Sequence, residues 1–206
     1  MESNSNKKIN KNLPLGATPL TPEEFGDMLP LHITTRNELN DAEFINISKA
    51  TQKYFLSRKK FQFSLGSIYQ VHKDMFGNVW KWAGKKRTTN KNIGSDKVYI
   101  NFELKKFIDD FDYWLKYDMD ATEISARIHH RLVFIHPFNN GNGRWARFLS
   151  NLFLKDNLSS YLEFPENELL LTTTIRKTYI KALQEADTLN YQPLIDLHKK
   201  YLSYFK

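Results

Sequence analysis

Apolar residues recur at helical spacing along most of the chain. The clearest apolar face consists of Leu104, Phe107, Ile108, Phe111, Trp114 and Leu115. Steps of three and four residues place such side chains on one side of a helix. The stretch from Asp120 to Ile135 repeats this spacing, and Asp120 is suited to cap its first turn. The segment 144–155 is apolar on more than one side, which predicts a buried central helix.

Start and stop signals mark further helices. Thr21, followed three residues later by Glu24, forms a capping box that predicts the beginning of a helix. Gly77 is expected to end another helix. The segment 37–58 is predicted to be a long amphipathic helix with an apolar face formed by Phe44, Ile47, Ala50 and Tyr54. Two more helical segments follow after residue 169.

The pattern changes between residues 80 and 100. Short β-tending runs at 86–89 and 97–100 enclose a stretch rich in Asn, Gly and Asp, which favour turns. This arrangement predicts a β-hairpin, or flap. The fold class expected is therefore all-α, a single helical domain over residues 21–206 with a small β-hairpin. A flexible polar arm is expected to precede it over residues 1–20.

Composition narrows the class of protein. The chain has 206 residues, 41% of them hydrophobic, and no Cys. No apolar run approaches the roughly 18 residues of a membrane span, and the polar N-terminal stretch lacks the apolar core of a secretory signal. The absence of Cys excludes disulfides and thiol catalysis. We therefore expect a soluble cytoplasmic protein.

The net charge of +7 invites comparison with proteins that bind nucleic acids. The basic residues are spread over several segments, and a solvated surface accounts for most of them. A cluster within residues 85–97 would also suit an anionic ligand such as a nucleotide. A nucleic-acid binder is an alternative that rests on charge alone, and we expect neither nucleic acid nor a membrane as the partner.

The segment His136–Arg147 reads HPFNNGNGRWAR and is expected to carry the chemistry. Pro137 disfavours helical geometry at the residue before it, so the preceding helix should end there. Gly141 and Gly143 allow the backbone to approach a ligand closely. Asn142 is suited to cap the next helix, whose N–H groups and positive dipole end would face the loop. The segment therefore predicts an anion site.

Three side chains of this segment complete the predicted site. Arg144 and Arg147 are three residues apart on a helix, so they share a face and can both bind phosphate. His136, with an ordinary pKa of about 6.5, accepts a proton at neutral pH. A general base beside a phosphate site indicates attack by a hydroxyl on phosphorus. We therefore expect the imidazole of His136 to be accessible and to face the bound triphosphate.

Other interpretations of these residues are weaker. A simple turn between two helices would not require a His, a Phe and two Arg at these spacings. His129, His130 and His136 are not expected to bind zinc, because His130 lies on a different helical face and no carboxylate completes the set. His72 is expected to be a structural helix residue. The chain has no P-loop motif, so a nucleotide would be held in another way.

The pattern H-x-F-x-x-G-N-G-R-x-x-R over residues 136–147 resembles the signature of the Fic (filamentation induced by cAMP) family, with seven matched positions. From about residue 20 the chain is also similar to the Fic-type proteins called mobile mystery protein B. The resemblance implies an all-α, Fic-type helical bundle with a small β-hairpin flap. It also implies a nucleotidyltransferase that transfers AMP from ATP to a Ser, Thr or Tyr hydroxyl of a protein target (AMPylation).

The resemblance implies a role for each position of the motif. His136 would deprotonate the target hydroxyl, and Phe138 would anchor the loop in the core. The phosphates of the nucleotide would be held by Gly141, Asn142, Gly143, Arg144 and Arg147. The flap would hold the target chain by strand addition. The flap residues are Lys86, Arg87, Thr88, Thr89, Lys97, Val98 and Tyr99.

Two positions depart from the family pattern. AMP-transferring members carry Asp or Glu, which holds Mg²⁺, where this chain has Asn140. An amide is a poorer ligand for this cation, so Mg²⁺ would be bound more weakly and mainly through the substrate phosphates. Many members also carry an inhibitory [S/T]-x-x-x-E-[G/N] segment. Glu38 has this spacing from Thr34 and is a candidate inhibitory residue, although Leu39 fills the last position.

Asn140 leaves a second function open. A Fic-fold protein with weak, altered-donor or lost activity would act as a nucleotide- or protein-binding module. The protein target is unknown for either function. By analogy, relatives associated with mobile genetic elements suggest a toxin-like or element-maintenance role. A regulator or antitoxin that acts in trans is a further candidate partner.

Overall fold

The computed structural model describes Leu13 and residues 16–205. Most of the predicted N-terminal arm therefore lies outside the described residues. The described part comprises α1 (Pro22–Gly26), α2 (Arg36–Phe55), α3 (Leu65–Phe76), α4 (Ile100–Lys116), α5 (Ala121–Ile135), α6 (Asn142–Leu158), β1 (Ser160–Leu162), α7 (Glu166–Leu169), α8 (Thr174–Asp187), α9 (Gln192–Tyr201) and β2 (Leu202–Tyr204). Across these residues, no helix combines the length and the apolar character that crossing a bilayer requires.

Side-chain caps start helices where the sequence predicts them. Thr21 and Glu24 form the predicted capping box at the start of α1. Asp120 accepts hydrogen bonds from the backbone N–H groups of Thr122 and Glu123 at the start of α5. Such a cap stabilises a helix by about 1 kcal/mol, so these short polar signals fix where both helices begin.

Helices α5 and α6 pack against each other, and α6 is the buried central helix that the sequence predicts. Trp145, Leu149 and Leu152 on α6 are completely buried, as are Ile128 and Leu132 on α5. Full burial of one such side chain contributes about 1.5–3 kcal/mol. The connection between these two helices carries the motif, so the candidate site is built on the core of the fold.

The buried face of α2 differs in part from the predicted one. Phe44 is 70% exposed, whereas Glu43 and Asn46 on the same helix are buried. Glu43 accepts a hydrogen bond from the indole of Trp80 at 2.8 Å, and Asn46 accepts one from the side-chain amide of Asn78 at 2.9 Å. Polar residues can lie in a core when they are hydrogen-bonded. Of the predicted apolar face, Ile47, Ala50 and Tyr54 do pack in or against the core, and the prediction is wrong for Phe44 because it counted apolar residues alone.

The β-hairpin predicted between residues 86 and 100 does not form. The segment contains no strand, and its last residues turn into the start of α4. Asn90 accepts a hydrogen bond from the backbone N–H of Lys97 at 2.8 Å, and Asp96 accepts one from Val98 at 2.9 Å. Side chains thus bind two N–H groups of the segment, and the N–H groups of Arg87 and Ser95 bind the backbone carbonyls of Pro137 and Phe134.

The small sheet of the described chain lies elsewhere. Strand β1 pairs antiparallel with β2, with Ser160 opposite Tyr204 and Leu162 opposite Leu202. Three helices separate the two strands along the chain, so no turn motif between adjacent strands predicts the pairing. The all-α class with one small two-stranded element is as predicted, and the position of that element is corrected.

Candidate active site

The motif loop begins with a strained residue at the end of α5. His136 adopts the left-handed conformation, with φ +52° and ψ 57°, which is costly for a residue other than Gly. Pro137 disfavours the right-handed helical region at this position. The guanidinium of Arg87 then fixes the turn, because its Nε donates to the carbonyl of His136 at 2.6 Å. The same guanidinium donates to the carbonyls of Thr89 and Ser95.

The two ring nitrogens of His136 have different surroundings. Nδ1 lies 3.3 Å from the carbonyl oxygen of Val133. Because a carbonyl oxygen only accepts hydrogen bonds, Nδ1 must be the donor in this contact. Nε2 lies 3.3 Å from the hydroxyl oxygen of Thr18. With the proton on Nδ1, Nε2 carries the lone pair, and the hydroxyl of Thr18 donates to it. This tautomer is the one that a general base requires.

The expectation that His136 is accessible is not met, because only 5% of the residue is exposed. Burial lowers the pKa of the imidazole to about 4; the hydrogen bond to Val133 raises it, and the positive charges of Arg87 and Lys91 lower it. The ring is therefore neutral at pH 7. A hydroxyl side chain, that of Thr18, is among the groups that cover it.

Residues 16–20, which we call the cover segment, lie over the motif loop. Asn92 donates from its side chain to the carbonyl of Ala17, and Asn140 donates from its side chain to the carbonyl of Thr18, both at 3.3 Å. Thr18 is buried. This end of the predicted polar arm therefore packs against the helical domain.

Phe138 is completely buried and stacks on His72, with ring centroids 3.6 Å apart. The Nδ1 atom of His72 accepts a hydrogen bond from the N–H of Gly84, and its Nε2 donates to the carbonyl of Asn140, both at 3.0 Å. Burial lowers the pKa of His72 to about 3, which keeps the ring in this neutral form. His72 is a structural residue, as expected, but its contact with the motif loop has no local sequence signal.

Gly141 and Asn142 shape the loop where α6 begins. Gly141 has φ +79°, and a Cβ there would lie 2.7 Å from the ring of Phe76, so only Gly fits. The prediction that Asn142 caps α6 is wrong. Its side chain instead accepts from the N–H of Phe138 at 3.0 Å and donates to the carbonyl of Phe138 at 2.9 Å.

Because the side chain of Asn142 binds Phe138, the first turn of α6 has no side-chain cap. Gly141, in the left-handed conformation, is the residue before the helix, and it provides no side chain to cap the first turn. The N–H groups at the start of a helix lack partners within the helix and carry its positive dipole end. Gly143 lies in this turn and lines the adjacent cleft. The loop therefore retains the predicted capacity to bind an anion.

Both arginines of the motif are paired with carboxylates that no local sequence pattern indicates. Arg144 donates to Glu43 at 2.6 Å. Arg147 forms a bidentate pair with Glu166, from Nε to Oε1 at 2.7 Å and from Nη2 to Oε2 at 2.5 Å, and it donates to the hydroxyl of Tyr179 at 3.2 Å. Burial lowers the pKa of Arg147, but Glu166 and Tyr179 raise it by more, so the buried cation keeps its charge.

Glu38, the candidate inhibitory residue, is a helix cap in the structure. Its carboxylate accepts hydrogen bonds from the backbone N–H groups of Thr34 and Thr35 at 2.7 and 2.9 Å, at the start of α2. These hydrogen bonds lower the pKa of Glu38. The carboxylate that faces Arg147 is that of Glu166, on the other side of the motif in sequence.

The predicted flap residues divide into two groups. Arg87 is buried and binds three carbonyl groups of its own surroundings, so the expectation that it faces a target protein is corrected. Lys86 is half-buried. The exposed members are Thr88, Thr89, Lys97, Val98 and Tyr99. A target chain can reach this second group without any change in the fold.

A cleft of about 280 Å³ borders the motif loop. Its lining includes Thr18, His136, Asn140, Gly141, Asn142, Gly143, Arg144 and Arg147, together with Arg36 from α2 and Arg176 from α8. Arg36 and Arg176 were not predicted, because they lie far from the motif along the chain and no local pattern marks them. Four arginines and the start of a helix make this cleft suited to a polyanion such as a triphosphate.

A buried chain of hydrogen bonds supports Arg147 from the core. It runs from Ser125 to His198 at 2.7 Å, from His198 to His129 at 3.0 Å and from His129 to Tyr179 at 2.9 Å. Burial lowers the pKa of both imidazoles, so both are neutral. A neutral imidazole donates at one nitrogen and accepts at the other. This series of hydrogen bonds therefore positions the hydroxyl of Tyr179, which contacts Arg147.

The surroundings of Asn140 do not fit a Mg²⁺ ion held by the protein. The side-chain carbonyl of Asn140 accepts a hydrogen bond from the N–H of Gly141 at 2.7 Å, and its amide nitrogen donates to Thr18. Among the described residues, no group of three or more His, Cys, Asp or Glu side chains could hold a metal ion. Mg²⁺ prefers carboxylate oxygens, and this position offers only one neutral oxygen.

The fold and the site define a helical protein in which a buried imidazole and the uncapped start of a helix lie at the two ends of one loop. Comparison with known proteins agrees with this description. Residues 62–154, which include the motif, match the model of the Fic/DOC family.

Two relatives illustrate the sequence similarity. The protein adenylyltransferase fic-1 of Caenorhabditis briggsae is 32% identical over 146 residues, which cover 68% of this chain and 27% of the relative. The protein adenylyltransferase VbhT of Bartonella schoenbuchensis is 30% identical over 94 residues, which cover 42% of this chain and 20% of the relative. The chain thus spans about a quarter of the length of the curated relatives that it matches.

Solved structures show the same fold. The BepC protein from Bartonella tribocorum, solved with bound AMPPNP, superposes with a TM-score of 0.68 at 19% identity, over 96% of this chain and 98% of that one. A fragment of Fic-1 from Caenorhabditis elegans superposes with a TM-score of 0.66 at 24% identity, over 95% and 57%. The all-α, Fic-type fold expected from the sequence is therefore confirmed.

Proposed function

We propose that this protein is a nucleotidyltransferase that transfers AMP from ATP to a hydroxyl side chain of a protein. The observation that carries the proposal is the state of His136. Its Nε2 carries a lone pair and accepts a hydrogen bond from a hydroxyl, and the ring lines the same cleft as the start of α6. A base, an acceptor hydroxyl and an anion site are the three parts that this reaction needs.

The roles of the residues follow from their chemistry. The N–H groups at the start of α6, with Gly141 and Gly143, would bind phosphate oxygens, and Arg144 and Arg147 would neutralise the charge of the outer phosphates. His136 Nε2 would take the proton of the attacking hydroxyl. The hydroxyl oxygen then bonds to the α-phosphorus, and pyrophosphate leaves. Positioning and charge stabilisation supply most of the rate enhancement in such reactions.

The relatives support the choice of donor. The curated relatives named above are protein adenylyltransferases, and BepC was solved with an ATP analogue. Mg²⁺ is expected to reach the site bound to the nucleotide phosphates, because Asn140 provides no carboxylate. The similarity to mobile mystery protein B, and a regulator acting in trans, stay predictions.

Labelled ATP provides a direct test. The full chain is incubated with α-labelled ATP, Mg²⁺ or Mn²⁺ and a cell lysate, and label on protein is measured. We expect labelled protein with the wild type and none with His136→Ala. The matched control is His32→Ala, which removes an exposed histidine away from the motif and should leave labelling intact. No labelled protein with any nucleoside triphosphate would contradict the proposal.

A nucleotide- or protein-binding module is the second candidate function, and Asn140 favours it. The only side-chain oxygen of Asn140 already accepts a hydrogen bond from Gly141. Calorimetry with ATP, followed by analysis of the products, separates the two functions. Binding without any adenylylated product or pyrophosphate would favour the module, whereas product formation would exclude it.

A further inference from the structure

We propose that Tyr179, His129 and His198 are positioning residues for nucleotide binding, because together they fix the orientation of the Arg147 guanidinium at the phosphate site. The inference rests on the proposed function in that it takes a triphosphate as the ligand. It extends the site beyond the motif, since these residues belong to α8, α5 and α9. The observation that carries it is the direction of the hydrogen bonds between Ser125 and Arg147, which both ends of the series fix in the same way.

The end of the series at Ser125 fixes one direction. The hydroxyl of Ser125 donates to the carbonyl of Thr122 at 2.9 Å, so its oxygen accepts from Nδ1 of His198 at 2.7 Å. Burial lowers the pKa of His198 to about 3, so the ring is neutral and its Nε2 accepts from Nδ1 of His129 at 3.0 Å. Burial also lowers the pKa of His129 well below its ordinary value. The neutral ring of His129 therefore has a lone pair on Nε2.

The end of the series at Arg147 requires the same direction. A guanidinium only donates, and Nη1 of Arg147 donates to the hydroxyl oxygen of Tyr179 at 3.2 Å. Burial raises the pKa of Tyr179, so the hydroxyl keeps its proton and donates it to Nε2 of His129 at 2.9 Å. The opposite direction would turn this proton toward the cation. The hydroxyl of Tyr179 therefore presents a lone pair to Arg147, and both imidazoles carry their proton on Nδ1.

The guanidinium of Arg147 has one edge held by the core and one edge directed at the ligand. Nη1 binds the buried Tyr179, whereas Nε and Nη2 bind Glu166, whose side chain is 49% exposed. A phosphate group can replace the exposed carboxylate of Glu166, but it cannot replace the buried hydroxyl. The contact with Tyr179 therefore persists when the nucleotide binds, and it keeps Nε and Nη2 directed at the phosphate.

Gly143 connects this arrangement with the start of α6. A Cβ on Gly143 would lie 3.5 Å from Nη1 of Arg147 and 3.8 Å from the hydroxyl oxygen of Tyr179. The three residues also line the same cleft. The guanidinium and the N–H groups at the start of α6 can thus bind the same triphosphate only while Arg147 keeps this orientation. Groups that are already ordered bind a ligand more tightly than groups that become ordered on binding.

The first test is spectroscopic and uses the wild type. The histidine rings of the full chain are isotopically labelled, and nuclear magnetic resonance shows which nitrogen of each ring is protonated. We expect His129 and His198 to carry the proton on Nδ1. His72 is the internal control and should carry it on Nε2, which donates to the carbonyl of Asn140. A proton on Nε2 of His129 or of His198 would overturn the proposal.

The second test measures the binding of AMPPNP with Mg²⁺ by calorimetry. Tyr179→Phe removes only the hydroxyl, and the dissociation constant should rise by about five- to tenfold, because the lost hydrogen bond holds a charged group. Tyr191→Phe is the matched control. Tyr191 is also buried, and its hydroxyl contacts an imidazole, that of His130 at 3.2 Å, rather than Arg147. This variant should lose a similar amount of stability and bind AMPPNP like the wild type.

Ser125→Ala tests whether the whole series acts through the hydroxyl of Tyr179. The substitution removes the acceptor of His198 at the far end. It should weaken AMPPNP binding by about two- to threefold in the wild type and have no effect when Tyr179 is already Phe. The same loss in both proteins would show that Ser125 acts by another route, and it would overturn the role assigned to the two imidazoles.

The outcomes separate this inference from the proposed function. If AMPPNP binds equally to the wild type and to Tyr179→Phe, the positioning role is refuted, and labelling of lysate proteins would still support the transfer reaction. If Tyr179→Phe weakens binding but no protein is labelled, the positioning role stands and the transfer reaction is refuted. If AMPPNP does not bind to the wild type, both proposals fail. Thermal unfolding establishes that each variant is folded, and the measurement of the protonated nitrogens needs no variant.

Discussion

Arg147 and Glu166 face each other as a two-pronged ion pair, with distances of 2.7 Å from Nε to Oε1 and 2.5 Å from Nη2 to Oε2. The arginine is buried, whereas the side chain of Glu166 is 49% exposed. The carboxylate thus uses the guanidinium edge that a phosphate group would use. Because Glu166 can turn into solvent, a nucleotide that binds Arg147 has to displace it.

We therefore expect Glu166→Gln to strengthen ATP binding. An exposed carboxylate contributes about 1 kcal/mol or less to its ion pair, so the dissociation constant should fall by roughly three- to fivefold. Calorimetry with a non-hydrolysable ATP analogue measures this change. Glu168→Gln is the matched control, since it removes the same charge from an exposed position of α7. Equal affinities for both variants and the wild type would show that Glu166 does not compete with the nucleotide.

Gly94 provides a test of how His136 is positioned. It has φ +97°, and a Cβ at this position would lie 2.4 Å from the Cβ of His136. Gly94→Ala is expected to push the imidazole aside and to strain the backbone. Transfer activity should fall by about tenfold or more, and the free energy of unfolding should fall by about 1–3 kcal/mol.

The control for Gly94→Ala is Gly66→Ala. Gly66 lies in the first turn of α3, and a Cβ there would meet nothing within 4 Å. That variant should keep full activity and gain up to about 1 kcal/mol of stability, because Ala is the better helix former. Wild-type activity in Gly94→Ala would mean that the imidazole does not need its present position.

The pKa of His136 predicts a dependence of stability on pH. The value is about 4 in the folded protein and about 6.5 in an unfolded chain. The unfolded state therefore binds more protons between these values, and protonation favours unfolding. The contribution of His136 is fully present above pH 6.5 and is lost as the pH falls toward 4. At pH 5 the free energy of unfolding should be lower by roughly 2 kcal/mol for this group.

Urea unfolding at pH 7.5 and at pH 5 checks this prediction. His136→Asn suits the purpose, because Asn tolerates the left-handed backbone that residue 136 adopts. This variant should lose less stability on acidification than the wild type does. His32→Asn, which alters an exposed histidine, should behave like the wild type. The same loss of stability in all three proteins would argue that His136 keeps an ordinary pKa.

The sequence predicts the parts of this molecule that local patterns encode. Capping residues such as Thr21 and Asp120 start helices as expected, and the buried helix α6 follows from its apolar residues. The motif also occupies one continuous stretch, the loop after α5 and the first turns of α6, and it borders one cleft. In each case the signal is contained within a few neighbouring residues, so no knowledge of the tertiary structure is needed.

The parts that the sequence does not predict depend on contacts between distant residues. Glu43 is a buried acid on α2, and its burial depends on the hydrogen bonds that Trp80 and Arg144 donate to its carboxylate. The pairing of β1 with β2, and the covering of His136 by Thr18, likewise join segments far apart in the chain. The expected hairpin failed in part for the same reason, since the N–H groups of Arg87 and Ser95 bind the distant carbonyls of Pro137 and Phe134. Local side-chain hydrogen bonds to Lys97 and Val98 complete the replacement of strand pairing.

Both the oxygen and the nitrogen of the Asn140 side-chain amide form hydrogen bonds, and a single substitution removes one of them while keeping the other. Its oxygen accepts from the N–H of Gly141, and its nitrogen donates to the carbonyl of Thr18. Asp at this position would keep the first contact and lose the second, since a carboxylate has no proton to donate at neutral pH. It would also place a negative charge against the carbonyl oxygen of Thr18 and supply an oxygen ligand that Mg²⁺ prefers.

Asn140→Asp is therefore expected to have two measurable effects. The cover segment should exchange its backbone amides with solvent faster, which hydrogen-exchange mass spectrometry detects over residues 16–20. The Mg²⁺ concentration for half-maximal binding of an ATP analogue should fall by about tenfold, since one carboxylate joins the phosphates as a ligand. Asn139→Asp is the matched control, because it adds the same charge one residue away. If both variants change the Mg²⁺ requirement equally, general charge is responsible, and residue 140 does not ligate the cation directly.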